Sequence, residues 1–184
     1  CNEKNIKYKN LLNNEPNISL IFKNNLDLFK NFIHIHYKHS LFYKNGWSIE
    51  SFSDLLKKLS NKNEKIILTS DFGTFDYNSF FLNNFSNINF DTETVHINDL
   101  KIIYLHNIKI NDIFKLISCS NQVISPHGSM TVMASYLNIK VIDLYDTSTS
   151  INSFREFKPC NENYNFLILK NSSDHIKNKI INFL

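Results

Sequence analysis

Short, mostly apolar runs alternate along this chain with longer segments in which apolar residues recur every three or four positions. KIILTS at 65–70 and VIDLY at 141–145 are typical of strands buried on both faces of a parallel sheet. SIESFSDLLKKLS at 48–60 has helical spacing instead, and its first residue, Ser48, is a suitable N-cap. The pattern predicts strands at 31–38, 65–70, 87–90, 101–106, 122–125, 141–145 and 165–170, and helices at 48–60, 75–85, 111–120, 129–138 and 172–184.

This alternation predicts an α/β fold, a Rossmann-like parallel sheet with helices on both faces. We expect residues 31–184 to form this domain and the polar residues 1–30 to be a lead-in or linker segment. In such sheets ligands bind beyond the carboxyl ends of the strands, at the point where the strand order reverses. Candidate chemistry should therefore lie in the strand-to-helix loops.

Composition limits the function classes. The chain has 184 residues and a net charge of +3 spread along its length, which favours one domain and no nucleic-acid partner. No apolar run approaches the ~18 residues that a membrane span needs. Three cysteines without metal-ligand spacing indicate a reducing compartment, so we expect a cytoplasmic location, with the inner face of the membrane left open. The sequence has no initiator methionine, and we expect it to be a segment of a longer protein.

The segment ISPHGSMTVMAS contains one of only three glycines, between a predicted strand and a predicted helix. Pro126 ends the strand because it cannot donate to a ladder, and Gly128 lets the backbone turn into the helix. Ser129 and Thr131 would then lie in the first helical turn, whose free N–H groups suit a phosphate or diphosphate. His127 either contacts a phosphate or ribose or caps a local carbonyl. The segment therefore predicts a phosphate site.

Ser125 and Met130 are two further candidate contacts in the same segment. Ser125 precedes the turn, and Met130 follows it, where filling the core is the favoured alternative to contacting a ligand. No Walker lysine follows the glycine and no GxGxxG is present, so P-loop and classical dinucleotide sites lose support.

Other polar residues lie in the remaining strand-to-helix loops. Asp71 either hydrogen-bonds a ligand hydroxyl or, as we favour, caps the helix at 75–85. His34 and His36 alternate on one face of a strand, but no acidic or cysteine partner is near in sequence, so we predict no metal site. The possible rim contacts are His36, Lys38, Ser70, Asp71, Gly73 and Asp146.

A family resemblance spans about residues 31–146. IHIHYKHSLFYKNGWSIESFSDLLKKL followed by KIILTS resembles the start of the C-terminal domain of heptosyltransferase-like glycosyltransferases (glycosyltransferase family 9). SPHGSMTVMA is similar to the family's Asp-Ser/Thr-Gly turn and the helix it opens, and LNIKVI resembles the turn into the next strand. This chain departs from the family at the acidic position before the glycine, and Thr131 stands where the family often has a histidine. The donor is therefore left open.

The resemblance implies one half of a GT-B fold, the half that binds a nucleotide-diphosphate sugar with its diphosphate at the helix start. It implies inverting, metal-independent hexosyl or heptosyl transfer to a glycan or lipid-linked acceptor, with an N-terminal Rossmann-like domain as partner and no cofactor beyond the donor. The general base would come from that other domain, so we name no catalytic residue. By resemblance Lys44 approaches the donor phosphates, and a solvated lysine is the alternative. Arg155 either grips the diphosphate or pairs with Glu156.

Two other classes of function remain open. One is a non-catalytic nucleotide- or glycan-binding module, favoured by the altered acidic position. The other is a nucleotide-sugar epimerase or pyruvyl-transferase-like enzyme built on the same half-fold.

Overall fold

The computed structural model describes residues 31–62, 65–71, 75–84, 88–91, 94–97, 102–105, 108, 110–146, 148, 161–169 and 173–183. The predicted lead-in at 1–30 lies outside the described residues. The strands within the described ranges are β1 Phe32–Tyr37, β2 Lys65–Ser70, β3 Ile88–Asp91, β4 Thr94–Ile97, β5 Ile102–Leu105, β6 Gln122–Pro126, β7 Lys140–Tyr145 and β8 Tyr164–Ile168. The helices are α1 His39–Lys44, α2 Ile49–Asn61, α3 Tyr77–Asn84, α4 Ile110–Cys119, α5 Ser129–Tyr136 and α6 Ser173–Asn182. All of these helices are too short or too polar to span a bilayer.

The strands form a single sheet in the order β3-β4-β5-β2-β1-β6-β7-β8. Six strands that are neighbours in the sheet, β5, β2, β1, β6, β7 and β8, are parallel. Strand β4 is antiparallel to both β3 and β5. Of the described strands, β1 lies near the centre of the sheet with β2 beside it. The chain then passes to the edge strand β3, returns through β4 to β5 beside β2, and crosses to the other side of β1 with β6. The strand order therefore reverses between β1 and β6, which is the place where such sheets bind ligands.

Helices cover both faces of the sheet, as the sequence predicts. One face packs against α1, α2, α3 and α6, and the other, which we call the α4–α5 face, packs against α4 and α5. Burial on both sides explains why β1, β5 and β6 have no exposed position. Representative helix residues in these contacts are Phe42, Phe52, Phe81 and Ile176 on the first face and Ile117 and Ala134 on the α4–α5 face.

The helix predicted at 48–60 is confirmed as α2. The Ser48 hydroxyl accepts a hydrogen bond from the Ser51 N–H at 3.2 Å, so Ser48 is its N-cap. Phe52, Leu55 and Leu59 lie on its buried side, which is the apolar stripe that the spacing indicates.

The sequence pattern predicts only a loop between β1 and α2, which is wrong in part, because this segment contains the short helix α1. This helix ends in a Schellman motif: the Gly46 N–H donates to the Tyr43 carbonyl at 3.0 Å and the Trp47 N–H to the Phe42 carbonyl at 2.9 Å. Gly46 has a φ of +76°, a left-handed conformation that explains the glycine without a ligand. Trp47 is 3% exposed, and its ring centroid lies 5.3 Å from that of Phe42, so Trp47 is a packing anchor at the start of α2.

Two more local predictions require correction. The sequence pattern missed β4, which lies in the polar stretch DTETVHINDL and has only two apolar residues, and with it the antiparallel edge of the sheet. Asp71 does not cap the next helix, because α3 begins only at Tyr77 and the carboxylate of Asp76 accepts hydrogen bonds from the N–H and hydroxyl of Ser79, at 3.0 and 2.6 Å. Asp71 instead pairs with Lys38 across the ends of β1 and β2.

Candidate functional site

A row of buried polar side chains crosses four neighbouring strands near their carboxyl ends, on the α4–α5 face. His36 is in register with Thr69, and Ser125 with Asp143. His36 also lies beside Ser125, because His34 pairs with Val123 two residues earlier on the same strands. None of the four side chains in the row is more than 6% exposed. Buried polar groups cost free energy unless they are hydrogen-bonded, so their concentration beneath the switch point marks this edge as the candidate site.

The two histidines of β1 are neutral and committed to Thr69. The hydroxyl oxygen of Thr69 lies 2.8 Å from Nε2 of His34 and 3.0 Å from Nδ1 of His36. Burial lowers the pKa of His34 to about 3 and that of His36 to about 4, and for His36 the nearby Asp71 opposes the shift. His36, predicted as a rim contact, therefore lies beneath the rim.

The other described rim candidates pair with residues of the protein. Lys38 Nζ lies 3.3 Å from a carboxylate oxygen of Asp71, and both side chains are partly exposed. The hydroxyl of Ser70 lies 2.9 Å from that of Tyr104. The predicted site residues Lys38 and Asp71 therefore neutralise each other's charge, and Ser70 is hydrogen-bonded to a residue of the core.

Lys44 reaches across the end of the sheet. Its Nζ lies 2.6 Å from Oδ2 of Asp146 and 3.3 Å from the hydroxyl of Ser148. Lys44 belongs to α1, which follows β1, and Asp146 follows β7, so the ion pair joins the segments after the two strands that flank β6. The Lys44 side chain is 59% exposed, so it remains within reach of a ligand.

The predicted phosphate segment follows β6 as expected, and α5 begins at Ser129. Gly128 is the N-cap residue and has no side chain to accept from the first-turn N–H groups, in contrast to Ser48 at α2. The chain bends at His127 and Gly128, as predicted, but the Gly128 backbone is extended, with a φ of 160°, so the bend does not need a left-handed glycine. A Cβ built at Gly128 would meet no atom of the described residues within 4 Å, so packing against them does not require glycine there.

The side chains around Gly128 divide between the turn, the core and the surface. The hydroxyl of Thr131 accepts from the Gly128 N–H at 3.2 Å and lies 3.0 Å from the Gly128 carbonyl, to which it donates. Thr131 is fully buried and closes the turn. Met130 packs in the core on the α4–α5 face, which is the role that the sequence analysis favours for it. Ser125 is buried and donates to the Pro126 carbonyl at 2.9 Å. Ser129 is exposed at the first position of α5.

Strand β7 holds His127 in three ways. The His127 N–H donates to the Leu144 carbonyl at 2.9 Å, its Nδ1 lies 2.7 Å from Oδ2 of Asp143, and its ring stacks on Tyr145 with centroids 4.5 Å apart. The side chain is 29% exposed, so one part of the ring faces outward. His127 is therefore a partly exposed imidazole in a fixed orientation.

The Asp143 carboxylate is part of a buried hydrogen-bonded chain. The Tyr164 hydroxyl donates to Oδ2 of Asp143 at 2.6 Å and lies 3.2 Å from the hydroxyl of Tyr145. Burial raises the pKa of the Asp143 carboxyl, and the hydrogen bonds from Tyr164 and His127 oppose that rise. Burial raises the pKa of Tyr145 to about 12 and also raises the pKa of Tyr164. Both hydroxyls therefore stay neutral and can donate hydrogen bonds.

Of the other predicted contacts, Gly73 and Arg155 lie outside the described residues. The residues that sequence reasoning missed are Asp143, Tyr145 and Tyr164. One signal was present, since Asp143 is the only charged residue in the run VIDLY and the strand pattern predicts burial there. Its partner could not be identified, because the pairing depends on which strands are neighbours.

No family model matches the chain, and no curated protein matches it in sequence. Solved structures that share its fold include the following two. A UDP-GlcNAc 2-epimerase of Methanocaldococcus jannaschii, in complex with UDP-GlcNAc and UDP, superposes with a TM-score of 0.60 at 9% identity, over 96% of this chain and 44% of the other. The ADP-heptose lps heptosyltransferase II of E. coli superposes with a TM-score of 0.57 at 11% identity, over 100% of this chain and 51% of the other. The chain thus has a GT-B-like, Rossmann-type α/β fold and spans about half the length of each neighbour.

Proposed function

We propose that this chain is the donor-binding half of a GT-B glycosyltransferase of the heptosyltransferase-like kind. It binds a nucleotide-diphosphate sugar with the diphosphate at the start of α5. The observation that carries the proposal is the α5 start itself, which has no capping side chain and an open glycine beside the switch point. One structural neighbour is in complex with UDP-GlcNAc and UDP, and the other is an ADP-heptose lps heptosyltransferase. Both support a nucleotide-diphosphate sugar as the ligand.

The residues around α5 would serve the leaving group. The first-turn N–H groups and His127 receive the diphosphate, and Lys44, once it exchanges Asp146 for a phosphate oxygen, offsets its charge. A base removes the proton of the acceptor hydroxyl, whose oxygen attacks the anomeric carbon. The bond from that carbon to the diphosphate oxygen breaks, and the electron pair leaves with the nucleoside diphosphate. We assign the base to a separate N-terminal Rossmann-like domain and Arg155 to the diphosphate.

The wider proposal keeps the remaining sequence predictions. Residues 31–184 form the donor domain and 1–30 its linker. The protein acts in the cytoplasm, at the inner face of the membrane when its glycan acceptor is lipid-linked.

Calorimetric titration with UDP, ADP, GDP and CMP tests the proposal, with Gly128→Ala and Gly128→Val as graded variants. A Cβ at this position meets no protein atom, so Gly128→Ala should fold normally and lost binding would report blocked access to the helix start. We expect micromolar binding of one nucleotide that weakens with Ala and is lost with Val. Lys57→Val, on the exposed side of α2, is the control for adding a branched side chain elsewhere. If the wild-type chain binds none of the four nucleotides, the proposal is wrong.

A nucleotide-sugar epimerase is the second candidate, because one fold neighbour is a UDP-GlcNAc 2-epimerase. Incubation of the full-length protein with UDP-GlcNAc separates the two. A transferase releases UDP only when an acceptor is present. An epimerase changes the configuration of the sugar and needs no acceptor.

A further inference from the structure

The buried carboxylate of Asp143 has no role in the function proposed above. It is fully buried in the centre of β7, and its Oδ1 has no hydrogen-bond partner within the described part of the chain. Its Oδ2 is shared by His127 at 2.7 Å and Tyr164 at 2.6 Å. Packing alone does not explain a carboxylate here, because an apolar side chain of similar size would avoid the cost of burying it.

The distances indicate where the proton lies. A contact of 2.7 Å between Nδ1 and Oδ2 requires a proton between the two atoms, since two lone pairs would repel each other. Tyr164 already donates to Oδ2, which favours the ionised carboxylate and so leaves this proton on Nδ1 of His127. In the neutral imidazole Nε2 is then the acceptor nitrogen.

We propose that Asp143, held by Tyr164, is a positioning residue that keeps the proton on Nδ1 of His127 and so directs Nε2 of that ring to the ligand at the start of α5. This role rests on the proposed function, since it assumes that the ligand carries a diphosphate. Phosphate oxygens accept hydrogen bonds, so Nε2 must take up a proton when they bind. The resulting imidazolium is paired with the Asp143 carboxylate.

The charged and titratable groups around His127 can be named element by element for the described residues. The residues of α5 and β6, SMTVMASY and QVISP, include no acidic or basic side chain. Tyr145 and Tyr164 are neutral, and the nearest histidine along the polar row, His36, is neutral because burial lowers its pKa to about 4. Asp146, which follows Tyr145, is paired with Lys44. Within the described part of the chain, Asp143 is the carboxylate that contacts the His127 ring directly, at 2.7 Å.

Two measurements on the full chain test the proposal. Long-range proton–nitrogen spectra, assigned with His127→Gln, report the tautomer of His127 without any ligand. Titration calorimetry with UDP and ADP, in buffers of different ionisation enthalpy at pH 7.5, reports the protons taken up on binding. Asp143→Asn removes the charge at nearly constant volume, and Tyr164→Phe keeps the carboxylate but removes its donor. Asp174→Asn, at a carboxylate that is 78% exposed on α6, is the matched control.

We expect the wild-type His127 to be protonated at Nδ1 and to take up part of a proton on nucleotide binding. Asp143→Asn should abolish that uptake and weaken binding by about 3- to 10-fold, and Tyr164→Phe should have a smaller effect of the same sign. If Asp143→Asn does not fold, Tyr164→Phe gives the same test. A wild-type His127 protonated at Nε2, or unchanged proton uptake in the folded variants, would overturn the proposal. If none of UDP, ADP, GDP and CMP binds, the proposed function fails, and the nitrogen spectra alone then decide whether Asp143 positions His127.

Discussion

Lys44 Nζ lies 2.6 Å from Oδ2 of Asp146, although 102 positions separate the two residues in sequence. The pair joins the segments after β1 and β7, on either side of the strand that leads to the candidate phosphate site. Lys44 is thus already paired before a ligand arrives. An incoming diphosphate would have to compete with Asp146 for it.

This competition gives the first prediction. Asp146→Asn should strengthen nucleoside-diphosphate binding several-fold, because Lys44 no longer has a carboxylate partner. Lys44→Ala should weaken binding by about tenfold, the effect of losing one hydrogen bond from a charged group. Both are measured by calorimetric titration. Lys58→Ala, which removes an exposed lysine paired with Asp54 at 3.1 Å on α2, is the matched control. Equal affinities for Lys44→Ala and Lys58→Ala would exclude Lys44 from the site.

The two described glycines should differ in their importance for folding. Gly46→Ala forces a Cβ into a left-handed conformation and should lower the free energy of unfolding by about 1–2 kcal/mol. Gly128→Ala occupies open space on extended backbone and should change it by less than about 0.5 kcal/mol. Urea denaturation checks both. A large loss of stability for Gly128→Ala would mean that the fold itself requires this glycine.

Thr131 should stabilise the loop that carries His127. Thr131→Val keeps the shape of the side chain but leaves the part-buried Gly128 N–H without its acceptor, whereas the Gly128 carbonyl still accepts from the Val132 N–H at 3.1 Å. We expect a loss of about 1–3 kcal/mol in the free energy of unfolding, measured by urea denaturation. Ser129→Ala, at the exposed neighbouring position, should have little effect. If the two variants proved equally stable, the Thr131 hydroxyl would have no such role.

The paired histidines of β1 should make stability depend on pH. Burial lowers the pKa of His34 to about 3 and of His36 to about 4, whereas both titrate near ~6.5 in an unfolded chain. Between about pH 6.5 and pH 4 the unfolded state therefore binds more protons. This contribution to stability is complete above that range and is lost as the pH falls through it.

Urea denaturation at a series of pH values from 7.5 to 5 measures this dependence. His34→Gln should reduce its slope by about one proton's contribution, roughly 1.4 kcal/mol per pH unit. His175→Gln, at an exposed position of α6, should leave the slope unchanged. An unaltered slope in His34→Gln would show that His34 does not titrate in this way.

The sequence by itself determined the fold class and the place of the candidate site. Periodicity reports which side of each element is buried, and that local property predicted α2, α4, α5 and the six parallel strands to within a few residues. Glycine and proline in the segment after β6 marked the start of a helix at the carboxyl edge. Periodicity failed at α1, which has only six residues, and at β4, whose four residues lie in a polar stretch with few apolar positions.

Only the tertiary structure decided which polar side chains meet. His127 and Asp143 are 16 residues apart, and Lys44 and Asp146 are 102 apart. They pair because β1, β6 and β7 are neighbours in the sheet. Strand order and register set these distances, and both depend on how all the strands and helices bury their apolar surface together. The sequence therefore indicates candidate residues at the carboxyl edge of the sheet, while the assembled sheet decides which of them stay exposed and which pair with one another.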